Sequence, residues 1–190
     1  MHRLYSECVH RKLLTSAMIG ATLLLGGCAV APGTTDDSDY QVFDPADIPQ
    51  ALPSDALAVP AEVFDNGYSE YSFKVGSGPT WCTINAEEKF AICEQIETDA
   101  SYDPLPVPDS CKVSFGYQFK LFENKPKGGE AAQITCASGL YADPAGAQTL
   151  TNGEALTVGG ITCFVINDTA RCDNKHANFI VLGPEVWAKG

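Results

Sequence analysis

No lysine or arginine occurs between Lys12 and Lys74, and no apolar run in the 190-residue chain is long enough to span a bilayer. The longest, Leu13 to Gly27, has about fifteen residues, against the roughly twenty that a spanning helix needs. Histidine is also scarce: past residue 27 only His176 remains. A Ser-His-Asp or Cys-His device would have to use that residue, and no Gly-x-Ser-x-Gly elbow accompanies it. Paired Cys-x2-Cys ligands are missing, which argues against structural zinc. The acidic stretch lacks the alternating Asp or Asn, the Gly and the closing Glu of a calcium loop. The residues thus imply no metal and no cofactor. Helical periodicity of convincing length is absent after residue 27.

The first 27 residues read as a secretory signal. Arg3, Arg11 and Lys12 form a basic region, and the charge-free Leu13–Gly27 run follows it. Leu25-Gly26-Gly27-Cys28 resembles a lipobox, with cleavage before Cys28 and lipidation there. Ala29-Val30-Ala31 fits ordinary signal peptidase, but Pro32 follows and disfavours that cut. Cysteine arithmetic points the same way. Cys8 leaves with the signal, seven cysteines remain, and acylating Cys28 leaves six for three bridges. Two or more acyl chains make a stable anchor, so the expected location is the extracytoplasmic face of the cell membrane.

Residues 28–66 read as a tether. Pro32, Pro45, Pro49, Pro53 and Pro60 punctuate it, and nine acidic residues lie between Lys12 and Lys74. Such a composition buries too little apolar surface to offset ordering entropy. A disordered coil of that length reaches ~35 Å. Phe43, Ile48, Leu52 and Leu57 could dock weakly on the domain or form one short helical turn. Removing residues 1–27 takes away three basic residues and Glu7, leaving 9 basic and 23 acidic side chains, a formal charge of −14. That surface repels phosphate backbones, so nucleic acid is not an expected partner.

Residues 67–190 read as one all-β unit, an antiparallel sandwich or small barrel. Val113, Phe115, Tyr117, Phe119 and Leu121 alternate strictly with small or polar residues, the period of a strand with one buried face. Three sequential bridges are preferred on spacing: Cys82 with Cys93, Cys111 with Cys136 and Cys163 with Cys172. Folding Cys163 opposite Cys172 pairs Phe164 with Arg171, Val165 with Ala170 and Ile166 with Thr169. Asn167-Asp168 is then left as a two-residue turn, and both residues tolerate positive φ. The cysteines fall on the fourth pair from the turn, a close non-hydrogen-bonded position that suits a disulfide. An Ala86–Lys89 loop joins Cys82 and Cys93, and export favours the oxidised state.

The cysteine pattern resembles a group of small secreted and lipid-anchored actinobacterial domains, corynebacterial and mycobacterial ones among them, of uncharacterised function. The likeness covers about residues 70 to 183. It rests on Phe73 before Cys82 and Ile84, on Ile92-Cys93, and on the Pro104–Pro108 crossing before Cys111. It continues through Cys136-Ala137 and Val158-Gly159-Gly160-Ile161-Thr162-Cys163 to Asn174, His176 and Phe179. The resemblance implies a fold and a location, but no activity. Its members tend to read Gly-His-Gly-Phe near the end, where this chain has Lys175-His176-Ala177-Asn178-Phe179. That departure puts a glycine-dependent turn at the histidine in question.

The chemistry-bearing candidates are few. Lys125 and Lys127, with Lys120 nearby, make the one basic protrusion on an acidic domain and are candidate partner contacts, as is His176. Glu87 with Glu88, and Glu94 with Glu97, could serve hydrolysis only if they converged; an acidic loop is the simpler reading. Trp81 and Trp187 are expected in the core, and Asn167-Asp168-Thr169 is read as the hairpin turn although it fits a glycosylation sequon. The expected function is a monomeric, non-catalytic binding module that meets an envelope protein or cell-wall partner. An envelope inhibitor or phage-exclusion lipoprotein is the alternative, and a hydrolase a more distant one.

Overall fold

The computed structural model describes residues 43–103, 105, 111, 116–136 and 139–190. The expected signal, the lipobox-like run with Cys28 and the expected tether up to residue 42 lie outside the described residues. So do Val113 and Phe115 of the alternating run, Ala137, and most of the proline-rich crossing.

Twelve strands are described: β1 (Leu57–Val59), β2 (Glu70–Val75), β3 (Trp81–Asn85), β4 (Phe90–Ile96), β5 (Gly116–Phe122), β6 (Ala132–Ile134), β7 (Gln148–Leu150), β8 (Glu154–Val158), β9 (Ile161–Ile166), β10 (Thr169–Asn174), β11 (Phe179–Leu182) and β12 (Trp187–Lys189). No α-helix occurs among the described residues, only short 3-10 turns. The strands form two six-stranded sheets packed as a sandwich, so the chain is all-β. Both sheets are mixed, where the sequence led to the expectation of purely antiparallel ones. β1 pairs parallel with β8, and β7 pairs parallel with β2. Three-residue strands of this kind carry too little periodicity to be seen in sequence.

The strand orders reveal a duplication of plan. One sheet runs β7-β2-β3-β4-β5-β6 and the other β1-β8-β9-β10-β11-β12. Each is a five-strand meander flanked by one parallel strand borrowed from the other half of the chain. The connectivity is that of a tandem repeat whose first strands have been exchanged. Cys82–Cys93 bridges β3 to β4, and Cys163–Cys172 bridges the equivalent β9 to β10. Both join directly opposed residues, with Cα atoms 4.1 and 4.0 Å apart, the spacing of close, non-hydrogen-bonded pairs. The two bridges meet in the middle of the sandwich, where Cys93 Sγ lies 3.8 Å from Cys172 Sγ. The third bridge joins Cys111 to Cys136. The β9–β10 register is Phe164 with Arg171, Val165 with Ala170 and Ile166 with Thr169. Asn167 and Asp168 turn the chain at φ 51° and 58°.

Inward-facing rows supply the core: Phe73, Cys82, Cys93 and Phe119 from one sheet, Leu156, Cys163, Cys172 and Ile180 from the other. Fully burying side chains such as Phe73 or Leu156 contributes roughly 2–3 kcal/mol each. The outer faces are buried too. β3 is buried at all five positions and β4 at its first six. Segments crossing each sheet from outside explain this. Residues 139–147 lie over β3 and β4, where the backbone N–H groups of Tyr141 and Ala142 donate to Glu94. Residues 43–56 lie against the other sheet, where Arg171 donates to the Pro49 carbonyl oxygen at 2.6 Å. The folded unit therefore begins well before residue 67. Phe43 packs edge-on against Tyr102 and Trp187, Phe64 is buried against Phe73, and β1 is a sheet strand. The described part of the supposed tether, from residue 43, is docked because its scattered apolar side chains find partners that only the assembled sheets provide.

Candidate functional site

At one end of the sandwich the loops carry most of the cations. Asn85, Phe90 and Phe122 stand in one row, so the β3–β4 turn and the β5–β6 loop leave the sheet side by side. Glu123 ties this end together. Its backbone N–H donates to the Lys89 carbonyl oxygen, while its carboxylate accepts from Lys175 Nζ at 3.1 Å and from the Gly160 N–H at 3.3 Å. The Lys175 hydrogen bond holds the Glu123 carboxyl below its ordinary range. Asn174 Nδ2 donates to the Phe122 carbonyl oxygen and locks β10 to β5. Of the eight lysines and arginines among the described residues, Lys89, Lys120, Lys125, Lys127, Lys175 and Lys189 lie here. Lys120 Nζ sits 3.5 Å from the centre of the Phe90 ring, and burial there lowers its pKa. Lys189 pairs with Glu130 at 2.7 Å. Carboxylates are interleaved, so the surface is of mixed charge rather than uniformly basic.

The sequence candidates Lys125, Lys127 and His176 all fall at this end. Lys125 and Lys127 are exposed in the β5–β6 loop. His176 is exposed in the β10–β11 turn, and its Nε2 lies 3.3 Å from Asn124 Oδ1, one residue before Lys125. Its backbone N–H donates to Asn174 Oδ1. The ring faces an amide from the lysine loop, which suits positioning more than proton transfer.

The turn at His176 is made without glycine. Ala177 takes φ 62°, a left-handed conformation costing an L-residue about 1–2 kcal/mol. Ala177→Gly is expected to stabilise the domain by ~1 kcal/mol, read as a higher denaturant midpoint at unchanged slope. A lower midpoint would mean that the alanine methyl makes contacts outweighing the strain.

The opposite end has another character. The Asn167-Asp168 turn is tied to the β2–β3 loop, where Asp168 accepts from the backbone and hydroxyl of Ser77. Ser101 donates to the Pro184 carbonyl oxygen, and Phe43 inserts between Tyr102 and Trp187. Asp44, Asp47, Asp99, Asp168 and Glu185 lie in these segments. The described chain thus enters at an acidic end, away from the lysine-bearing loops. A cavity of about 610 Å³ opens there between Asp47, Gln50, Asp168 and Glu185.

The carboxylates weighed from sequence do not converge. Glu87 and Glu88 are exposed in the β3–β4 turn. Glu94 is 3% exposed under the crossing segment, where it accepts from Trp81 Nε1, Gln118 Nε2, Tyr141 N and Ala142 N. Trp81, expected in the core, is buried on the outer face instead, as the partner of Glu94. Sequence offered no signal for this network, because its donors come from three separate segments. Beside it, Tyr141 donates to Glu70 at 2.6 Å; its phenol is pushed up to about 12, first by burial and then by that bond. Cys82, Cys93 and Cys172 bring their sulfurs together, but all three are in disulfides. Comparison of the chain with models of known protein families, with curated proteins and with solved structures finds no match.

Proposed function

We propose that this chain is an extracytoplasmic lipoprotein, acylated at Cys28 and held on the cell membrane. Its β domain works by contact rather than catalysis, as a monomer, on an envelope protein or cell-wall partner and not on nucleic acid. It would belong with the actinobacterial lipid-anchored domains that its cysteine pattern resembles. One observation carries the contact reading: Lys125, Lys127 and His176, from two loops far apart in sequence, share the end remote from Phe43. A chain tethered through residues 28–42 would present that end outward. The supply of chemistry agrees, since His176 faces Asn124 and the buried Glu94 is consumed by four donors. An envelope inhibitor is the second reading. It is favoured by the position of the Lys125–Lys127 loop between the two halves of the Cys111–Cys136 bridge.

Cys28→Ala is expected to abolish fatty-acid labelling and to move the protein from the membrane fraction to the soluble one. Labelling or membrane retention that survives the substitution would refute the anchor.

A further inference from the structure

The fold makes the same tight turn twice, with opposite residue chemistry. In a type I′ turn both central residues need positive φ, which Asn, Asp and Gly tolerate best. The β9–β10 turn obeys this with Asn167-Asp168. The second is the tip before β2. There the Glu70 N–H donates to the Gly67 carbonyl oxygen, and the central residues Tyr68 and Ser69 take φ 58° and 59°. Neither suits the position. Gly67 before them is also left-handed at φ 84°, which makes three such residues in succession. The tip is clamped nonetheless. The Asn66 N–H donates to the Glu70 carbonyl oxygen, the Gly67 N–H to Asp65 Oδ1, and the Ala86 N–H to the Ser69 carbonyl oxygen. This strain secures no packing, because Tyr68 is 92% exposed. A rigid turn of the wrong chemistry therefore holds a large aromatic ring in water, and strained backbone of this kind gathers at binding sites.

Its position gives it a context. The Ala86–Ser69 bond sets Tyr68 beside the β3–β4 turn, where Lys89 is also left-handed at φ 59°. With Ala177, four of the six non-glycine residues at positive φ among the described residues stand at the lysine-bearing end.

We infer that Tyr68 is a preset anchor for a protein partner, whose surface offers an apolar pocket for the ring and carboxylates for Lys89, Lys125 and Lys127. Tyrosine is a common energetic centre of protein interfaces, and its two side-chain torsions lose little entropy on binding. The partner is a protein rather than a polyanion or an anionic bilayer. Glu87, Glu88, Glu123 and Glu130 lie among the lysines, so a uniformly negative ligand meets repulsion that a patterned protein surface avoids. The inference rests on the contact reading of the domain and names the surface that makes the contact.

The test uses the full chain in its own cells, with p-benzoylphenylalanine in place of Tyr68 and, separately, in place of Glu185 at the opposite end. Light is expected to give one discrete protein adduct from position 68 and none from 185. Lys125→Glu with Lys127→Glu should cut its yield about tenfold. The double change Tyr68→Asn and Ser69→Gly, in the otherwise native chain, restores favourable turn chemistry. It should raise the thermal midpoint by roughly 4–8 °C, which shows the ring to be spare to the fold. A falling midpoint would show that the ring supports the fold and would overturn the anchor. So would a ladder of many proteins from position 68, or an adduct with lipid alone. A discrete adduct from 185 only would leave the contact reading standing and remove this surface. No adduct from either position would remove both.

Discussion

Glu94→Ala is expected to destabilise the domain by about 4 kcal/mol, a large share of the 5–15 kcal/mol typical of a folded domain. The carboxylate lies on the outer face of β4 and receives Trp81 Nε1 at 3.0 Å, Gln118 Nε2 at 2.8 Å, Tyr141 N at 2.7 Å and Ala142 N at 3.3 Å. Alanine leaves those donors without their acceptor in a site already closed to water, and each unsatisfied buried group costs about 1–3 kcal/mol. Partial relaxation of the crossing segment brings the sum below a simple addition. Glu94→Gln keeps one acceptor oxygen but turns an amide group toward donors, so an intermediate loss of about 2 kcal/mol is expected. Denaturant unfolding measures both. Hydrogen exchange adds a local readout: the Tyr141 and Ala142 amides should lose protection in the alanine variant before the core strands do. Equal stability of Glu94→Ala and wild type would mean that the segment is not fastened through this carboxylate. The consequence reaches the loop end, because Tyr141 also holds Glu70 and, through it, Asn85 at the base of the β3–β4 turn.

Arg171→Ala is expected to cost about 3 kcal/mol on the other sheet. Arg171 is 7% exposed on the outer face of β10. Its Nε and Nη2 grip Asp173, with Nη2 2.7 Å from Oδ1, while its guanidinium lies 4.0 Å from the centre of the Phe179 ring. Nη1 reaches the Pro49 carbonyl oxygen. Truncation strands a half-buried carboxylate and a buried carbonyl, and removes the stem that covers Phe179. Arg171→Met together with Asp173→Asn should recover most of the loss, since it keeps the apolar volume and abandons both charges. If the double variant is no better than Arg171→Ala, the Pro49 contact dominates over the ion pair. In that event, thermolysin, which cuts beside apolar residues and needs no lysine or arginine, should cleave the 43–56 segment faster in both variants than in the wild type.

Sequence was most informative where structure is local. The β9–β10 hairpin needed only Asn167-Asp168, eight intervening residues between two cysteines, and the rule that opposite residues share a face. The Cys82–Cys93 hairpin followed from the same arithmetic around Ala86–Lys89. Strict alternation marked one face of β5 as buried, and Tyr117, Phe119 and Leu121 do face the core. Alternation failed on β3 and β4, where Trp81, Thr83, Ile92 and Glu94 are buried on the outer face as well. A strand covered on both sides loses the polar beat that identifies it.

Sequence by itself therefore determined the all-β class and the registers of the two cysteine-bearing hairpins, which depend on residues a turn apart, and favoured the sequential pairing of the six cysteines on spacing alone. Tertiary structure alone decided the parallel strands β1 and β7, the exchanged tandem plan and the docking of residues 43–66. It also buried Glu94 and Arg171 and brought Tyr68, Lys89, Lys125, Lys127 and His176 to one end. The division has a physical cause. Turn geometry and the period-two pleat are written into neighbouring residues. A parallel crossover, a covering segment or a shared loop surface depends instead on loop closures whose entropy is offset only once the distant sheet exists to be met.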